Sequence, residues 1–343
     1  MDRRDIHVLA AGTVLPGPPV DNAELTRRFS MPPVWEEWID TFVGTRRRHL
    51  ATDLETGQVR WSLADMGEAA ASRALQTAGL RAGDIDLMVL STASPDLLMP
   101  ATVNVVADRL GVDGVPTYQL QSGCCGALQA LELARTMLSA GGRRTALVVG
   151  AESCAKHLDL TVDVAGLPAS EQINGVLFGD GAGAVVLGTD PLPGTPVLRG
   201  VTQRLVGLGR EPGQLVEWFG RADRHTDRQA VREDYKAIEE SVPPMACEVL
   251  DELLDELDWK ETDVDFLLPP QLGGRMTERI VAGLDLPGAT EVSLVADIGN
   301  TGNAAPWFQL EQALSRMREG DRAVGIAVES SKWIKAGFAL EVC

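Results

Sequence analysis

The chain has 343 residues, 45% hydrophobic and few aromatic, a length above the usual single domain that suits one pseudo-duplicated body with a large core. Its formal net charge of −18 disfavours a nucleic-acid partner and leaves an acidic carrier protein only a local basic patch on which to dock. Five cysteines without regular spacing, no membrane-length apolar run and a charged start without a signal-peptide core lead us to expect a reduced, cytoplasmic chain.

Residues 6–11 read as a first strand, and residues 12–60 as loops and short helices in which Trp35 and Trp38 share an amphipathic turn. His49 follows Arg46-Arg47-Arg48 and reads as structural. A helix over 61–79 and a strand over 85–90 follow, and the loop over 91–100 leads to a helix over 102–110. An extended segment, 116–121, then runs into the tight corner Ser122-Gly123-Cys124-Cys125-Gly126. Beyond it Leu128, Leu131, Leu133, Ala134 and Met137 recur at helical spacing. At a helix N-terminus the unsatisfied N–H groups and the dipole lower a thiol pKa, so Cys124 is a candidate nucleophile. Its flanking glycines permit the sharp turn and leave room for a substrate. Taken alone, the corner fits equally well two small apolar residues packing a helix start.

A buried strand at 146–150 precedes residues 153–172, a long stretch expected to cap a substrate tunnel. The run Phe178-Gly179-Asp180-Gly181-Ala182-Gly183-Ala184 is not a phosphate cradle. Its glycines precede an apolar strand and no Lys-Ser/Thr follows, so close backbone packing explains them better. Residues 189–196 link two halves, and 207–232 read as irregular surface.

The halves repeat one another. A helix over 66–80 leads to Asp84-Ile85-Asp86-Leu87, and a helix over 245–257 leads to Asp263-Val264-Asp265-Phe266. The strand ending Val149-Gly150-Ala151-Glu152-Ser153 is matched by Ile326-Ala327-Val328-Glu329-Ser330. We therefore divide the chain into 1–188, carrying the cysteine, and 189–343. The Cys124 corner maps onto Ile298-Gly299-Asn300-Thr301-Gly302-Asn303, so a thiol and an amide face each other across a pseudo-dyad.

These features, with Gly44-Thr45-Arg46-Arg47-Arg48-His49 and Met99-Pro100-Ala101-Thr102, resemble the thiolase-like ketosynthases, most closely the β-ketoacyl-ACP synthase III family, over nearly the whole chain. The resemblance implies an α/β fold of the five-layer αβαβα type, with two sheets sandwiching the nucleophile helix and its mate. It also implies a homodimer and a phosphopantetheine or CoA thioester as substrate, with no separate cofactor. Cys124 takes the acyl group, a His and Asn300 complete the site, and two backbone N–H groups hold the oxyanion. Trp38 falls at the pantetheine entrance, Met99 where a loop reaches the partner's tunnel, and Lys156 near a cationic position of the mouth. Arg275, with Lys332 or Lys335, falls near a carrier-protein docking position. The family's CoA-contacting arginine falls on Phe42, which favours a carrier protein over free acyl-CoA as donor.

Two departures stand out. Where the family carries Pro-His-Gln, this chain has Pro269-Pro270-Gln271, and a proline side chain neither donates a hydrogen bond nor accepts a proton. The glycine-rich strand end that supplies an oxyanion N–H becomes Val328-Glu329-Ser330-Ser331-Lys332-Trp333, so the candidate donors are the backbones of Cys124, Ser330 and Ser331. Glu329 and His157 are the candidate replacement bases; the histidines lack metal-ligand spacing, and no metal is expected. Three functions follow in order: an acyltransferase passing an acyl group from Cys124 to an acceptor, in fatty-acid-like or polyketide and specialised-metabolite biosynthesis; a decarboxylative condensing enzyme; and a non-catalytic partner subunit. The retained cysteine corner argues against the third.

Overall fold

The computed structural model describes residues 4–157, 161–218 and 231–343. The first half runs β1 (His7–Val14), β2 (Pro19–Asp21), α1 (Asn22–Arg28), α2 (Val34–Trp38), β3 (Arg47–His49), α3 (Leu63–Ala78), β4 (Leu87–Ser91), α4 (Thr102–Leu110) and β5 (Thr117–Leu120). It continues with α5 (Gly126–Ser139), β6 (Thr145–Glu152), α6 (Ala169–Gln172), α7 (Asn174–Leu177) and β7 (Gly181–Gly188). The second half runs β8 (Val197–Leu205), β9 (Gln214–Val216), β10 (Val231–Glu233), α8 (Tyr235–Leu257), β11 (Phe266–Leu268) and α9 (Gly274–Leu284). It ends with β12 (Thr290–Glu291), α10 (Val295–Ile298), α11 (Ala305–Leu314), β13 (Arg322–Glu329) and β14 (Ile334–Glu341).

Strand order is β12-β11-β13-β14-β8-β1-β7-β6-β4-β5. Its two five-stranded halves have matching order about the β8–β1 junction. The two expected sheets are therefore joined at one edge, where His7 pairs with Val197 and Leu198 N–H donates to Ile6 C=O at 2.8 Å. Helices α3 and α4 cover the outer face of one half and α8 and α9 that of the other, while α5 and α11 lie between the sheets. This is the thiolase-like order of layers, αβαβα. Strands β6 and β13 are buried along nearly their whole length because helices cover both faces, which is why they read as continuous apolar runs.

Helix α5 is apolar almost all round because it has no free face. Ala127, Leu128, Ala130, Leu131, Ala134 and Leu138 are buried against strands of both halves, each leucine contributing about 1.5–3 kcal/mol. The pair Glu132–Arg135, 2.6 Å apart, occupies its less covered side. Helix α3 begins at a capping box in which Ser62 Oγ accepts from Asp65 N–H at 3.0 Å and Asp65 Oδ2 from Ser62 N–H at 2.7 Å.

Helix α8 corrects the sequence reading. It begins at Tyr235, not near Met245, and passes through Pro243 and Pro244. The prolines remove the N–H groups that would bond to the carbonyls of Glu239 and Glu240, both exposed residues that water can satisfy. Asp234 caps the earlier start, accepting from Ala237 N–H at 3.0 Å.

Candidate active site

The thiol sits where β5 ends. Gly123–Cys125 form a tight 3-10 turn, with Gly123 at φ +48°, and α5 continues from Gly126. Strand β13 delivers Glu329 across this corner. Its Oε2 accepts from Cys124 N–H at 2.5 Å and its Oε1 from Ser331 N–H at 2.6 Å. A Cβ on Gly123 would collide with Oε2, so the corner needs glycine for space as well as for its backbone angle.

The pseudo-symmetric corner is built the same way. Strand β6 ends at Glu152, which accepts from Ala93 N–H at 2.7 Å, Ser94 Oγ at 2.6 Å and Asn303 Nδ2 at 2.5 Å. Gly302 leaves room for its chain. Ser91 Oγ donates to Asn303 Oδ1 at 2.7 Å, extending the network beneath the cysteine corner. Burial pushes Glu152 up to about 7, against its hydrogen bonds.

Burial also pushes the Cys124 thiol well above its ordinary value, and the Glu329 carboxylate adds to that. This overturns the expectation of a lowered thiol pKa. The N–H that would stabilise a thiolate at the helix start is committed to a carboxylate, and the nearest charges are negative.

Cys124 lines two cavities. One, of about 480 Å³, is walled mainly by apolar groups, Trp35, Val162, Val164, Leu167 and Phe178 among them. The other, of about 50 Å³, brings Cys124 together with Asn300, Glu233, Gln214, Tyr235 and Ser330. Asn300 is buried, its Oδ1 accepts from Gly302 N–H at 3.0 Å, and its backbone bridges to Phe178. That close approach accounts for Gly179, whose Cβ would strike Ile298 C=O, while a Cβ on Gly183 would strike Trp307. Asp180 fastens the same floor, with Oδ2 accepting from Ala51 N–H at 2.6 Å and Oδ1 from Ala155 N–H at 2.9 Å.

The family model for 3-oxoacyl-[acyl-carrier-protein (ACP)] synthase III matches residues 118–202, and its C-terminal counterpart matches 254–330. A β-ketoacyl-[acyl-carrier-protein] synthase III of Rhodospirillum centenum is 34% identical over 316 residues, 92% of each chain. The chain belongs to the synthase III family. Among solved structures, AbyA1, a tetronic acid condensing enzyme, is 57% identical with a TM-score of 0.95, covering 98% of this chain and 99% of that one. The 3-oxoacyl-(acyl carrier protein) synthase III of Pseudomonas aeruginosa is 28% identical with a TM-score of 0.83, covering 99% and 98%.

Against the synthase III pattern, several residues stand elsewhere than the sequence suggests. Trp38 is half-buried against the cluster that holds Leu25, Trp35 and Ile39 and lines neither cavity; Trp35, three residues earlier, lines the large cavity and donates from Nε1 to Gln172 Oε1 at 2.8 Å. Lys156 lines neither cavity, because its Nζ is held by Ser94 C=O at 2.8 Å and Asp96 at 3.0 Å. Lys335 cannot belong to a basic rim: it is buried on β14 and paired with Glu248 and Glu252 at 2.5 and 2.8 Å. Arg275 is exposed, but its Nε donates to Thr41 C=O at 2.8 Å and it pairs with Glu278 at 2.9 Å.

Met99, in a loop with Leu98, is 86% exposed, and Phe42 is 66% exposed. His157 lines the large cavity edge-on to Trp218, and burial beside Lys156 lowers its pKa. Val162, Val164, Leu167 and Gln172 of the expected cap do line that cavity; residues 158–160 of the cap, and 219–230 of the expected irregular surface, lie outside the described residues. Pro270 is buried away from both cavities, with its carbonyl accepting from Thr277 Oγ1 at 2.8 Å. Of the proposed oxyanion donors, the Cys124 and Ser331 N–H groups are occupied by Glu329, while Ser330 lines the small cavity.

Two acidic residues escaped the sequence reading. Glu152 was visible in principle, as the repeat mate of Glu329. Glu233 carried no signal, because the pairing of β9 with β10 that brings it beside Gln214 is a long-range event.

Proposed function

We propose that this protein is a thioester-dependent condensing acyltransferase that loads an acyl group on Cys124 and transfers it without decarboxylating a malonyl unit. The observation that carries this reading is Pro270. Pro270 is buried, the family resemblance puts the enolate-holding histidine at its position, and one lost donor of that kind costs about 10²–10³ in rate. Acyl loading needs a thiol, which Cys124 offers to both cavities, and an oxyanion place, which in this reading opens when Glu329 releases the Cys124 and Ser331 N–H groups.

Similarity to a tetronic acid condensing enzyme supports a specific class of product. A tetronic acid is a five-membered lactone. Disconnecting it at the ring ester and the neighbouring C–C bond gives a 3-oxoacyl thioester and a 2-hydroxyacyl thioester. The C–O bond forms as the hydroxyl displaces one thiol. The C–C bond forms as a carbon flanked by two carbonyls displaces the other. That carbon is acidic enough to become an enolate without losing carbon dioxide. The large apolar cavity suits the acyl chain, and the donor in this reading is an acyl carrier protein.

Intact-mass measurement after mixing with acyl-carrier donors tests loading; we expect one acyl group, on Cys124. Carbon dioxide release from malonyl-carrier protein at ketosynthase-like rates would replace this reading with decarboxylative condensation.

A further inference from the structure

Three carboxylates, Glu152, Glu233 and Glu329, line the cavities that Cys124 also lines, and their hydrogen bonding separates them. Both oxygens of Glu329 accept backbone N–H groups, and both oxygens of Glu152 are taken by Ala93, Ser94 and Asn303. Glu233 has one oxygen, Oε1, accepting from Gln214 Nε2; among the described residues its other oxygen receives no hydrogen bond. It lines the small cavity, whose walls also include Cys124, Asn300, Leu272 and Gly273. Leu272 and Gly273 directly follow Pro269-Pro270-Gln271 in the chain, although Pro270 itself lines neither cavity.

We infer that Glu233 is the proton acceptor for the hydroxyl of the acceptor substrate. The inference rests on the transfer reading above. In the step, the hydroxyl proton passes to Glu233 as the new C–O bond forms at the Cys124-bound carbonyl. The C–S bond then breaks, and the Cys124 thiolate takes the proton from Glu233, which returns to a carboxylate. A hydroxyl is a weak nucleophile at neutral pH, and a positioned base typically gives 10²–10⁴-fold. Burial pushes Glu233 up to about 7, aided by the Glu329 carboxylate and opposed by the Gln214 amide. Tyr235 and Cys124 share the chamber, and Cys154 lies within its electrostatic reach. A base poised near the working pH can both take and return a proton.

The test is a single-turnover experiment on the full chain. Wild type and Glu233→Gln are loaded with 3-oxohexanoyl-N-acetylcysteamine, freed of donor, and mixed with glycoloyl-N-acetylcysteamine between pH 5.5 and 9. Loss of the acyl mass is followed. We expect equal loading, a wild-type discharge rate rising through about pH 7, and a Glu233→Gln rate lower by roughly 10²-fold or more without that rise. Glu233→Asp should be slower than wild type but keep the rise. Discharge of Glu233→Gln at the wild-type rate, with the same pH dependence, overturns the inference. So does a natively melting Glu233→Gln that fails to load. If Glu233→Gln does not fold, Glu233→Asp decides: a retained rise supports the role and a lost one refutes it. A wild type that never acquires acyl mass defeats the transfer reading itself, which the loading step reports separately.

Discussion

Glu152 and Glu329 end equivalent strands of the two halves, and each seats its carboxylate on the glycine corner of the other half. Glu329 lies over Gly123, and Glu152 over Gly302. The two corners differ in what the carboxylate meets. Glu152 binds side chains and a loop N–H within a closed network, while Glu329 holds the N–H of the nucleophile itself. A tetrahedral oxyanion needs donors at the thiol, and here a side chain already fills that position. An oxyanion held by those donors therefore requires the Glu329 side chain to move aside.

Replacing Glu329 by Gln should make Cys124 more reactive. The substitution removes the negative charge that raises the thiol pKa, while burial, the larger cause, remains. The midpoint of a pH series of iodoacetamide alkylation, read at Cys124 by peptide mapping, should fall by about one pH unit. An unchanged or higher midpoint would show that Glu329 does not govern the thiol.

The two adjacent cysteines should behave differently. Cys125 is fully buried, with its thiol directed at Ile334 C=O at 3.4 Å, whereas Cys124 faces both cavities. Cys124→Ala should abolish acyl loading by intact mass. Cys125→Ala should load normally and lose about 1–2 kcal/mol of stability to the small void it leaves. Loading that survives in Cys124→Ala would place the nucleophile elsewhere.

Much of this arrangement is legible in the amino-acid sequence. The period of the apolar residues placed α5, and the repeat paired β6 with β13 and the Cys124 corner with the Asn300 corner. Those signals are local, or are repeated, and one chain is enough to show them. What stayed hidden depends on long-range geometry. That Trp35 rather than Trp38 faces the cavity depends on how α2 rotates against α6. Whether Cys124 meets a dipole or a carboxylate depends on where a strand some two hundred residues later ends. The start of α8 is hidden because Pro243 and Pro244 resemble a helix boundary, and only the exposure of the preceding turn shows that their missing bonds are tolerated.

Strand β5 lies at the edge of the sheet, and the loop before α4 exposes Leu97, Leu98 and Met99 by 55, 76 and 86%. An unpaired edge beside an apolar loop is a surface that soluble proteins cover. We expect light scattering at micromolar concentration to give twice the chain mass, and Leu98→Asp to shift it toward the monomer. A monomeric wild type would leave Met99 without the partner tunnel that the family resemblance implies.

Stability should fall as pH rises from about 5 to 7. Burial raises Glu152 from 4.5 to about 7, Asp180 from 3.8 to about 6 and Glu233 from 4.5 to about 7. Between those values the folded chain keeps protons that the unfolded chain has released, so the slope of unfolding free energy with pH is negative and flattens above the folded values. Carboxylates held low by partners, such as Asp65, Asp297 and Glu341, act in the opposite sense, but lose their contribution only at more acid pH. The urea midpoint should therefore decrease from pH 5 to pH 7 and change little by pH 8. Asp180→Asn should weaken that slope and lower the midpoint throughout, because its amide sets a donor against one of the N–H groups of Ala51 and Ala155, a loss of about 1–3 kcal/mol. A midpoint that climbs between pH 5 and 7 would mean that these buried carboxyls are ionised in the fold.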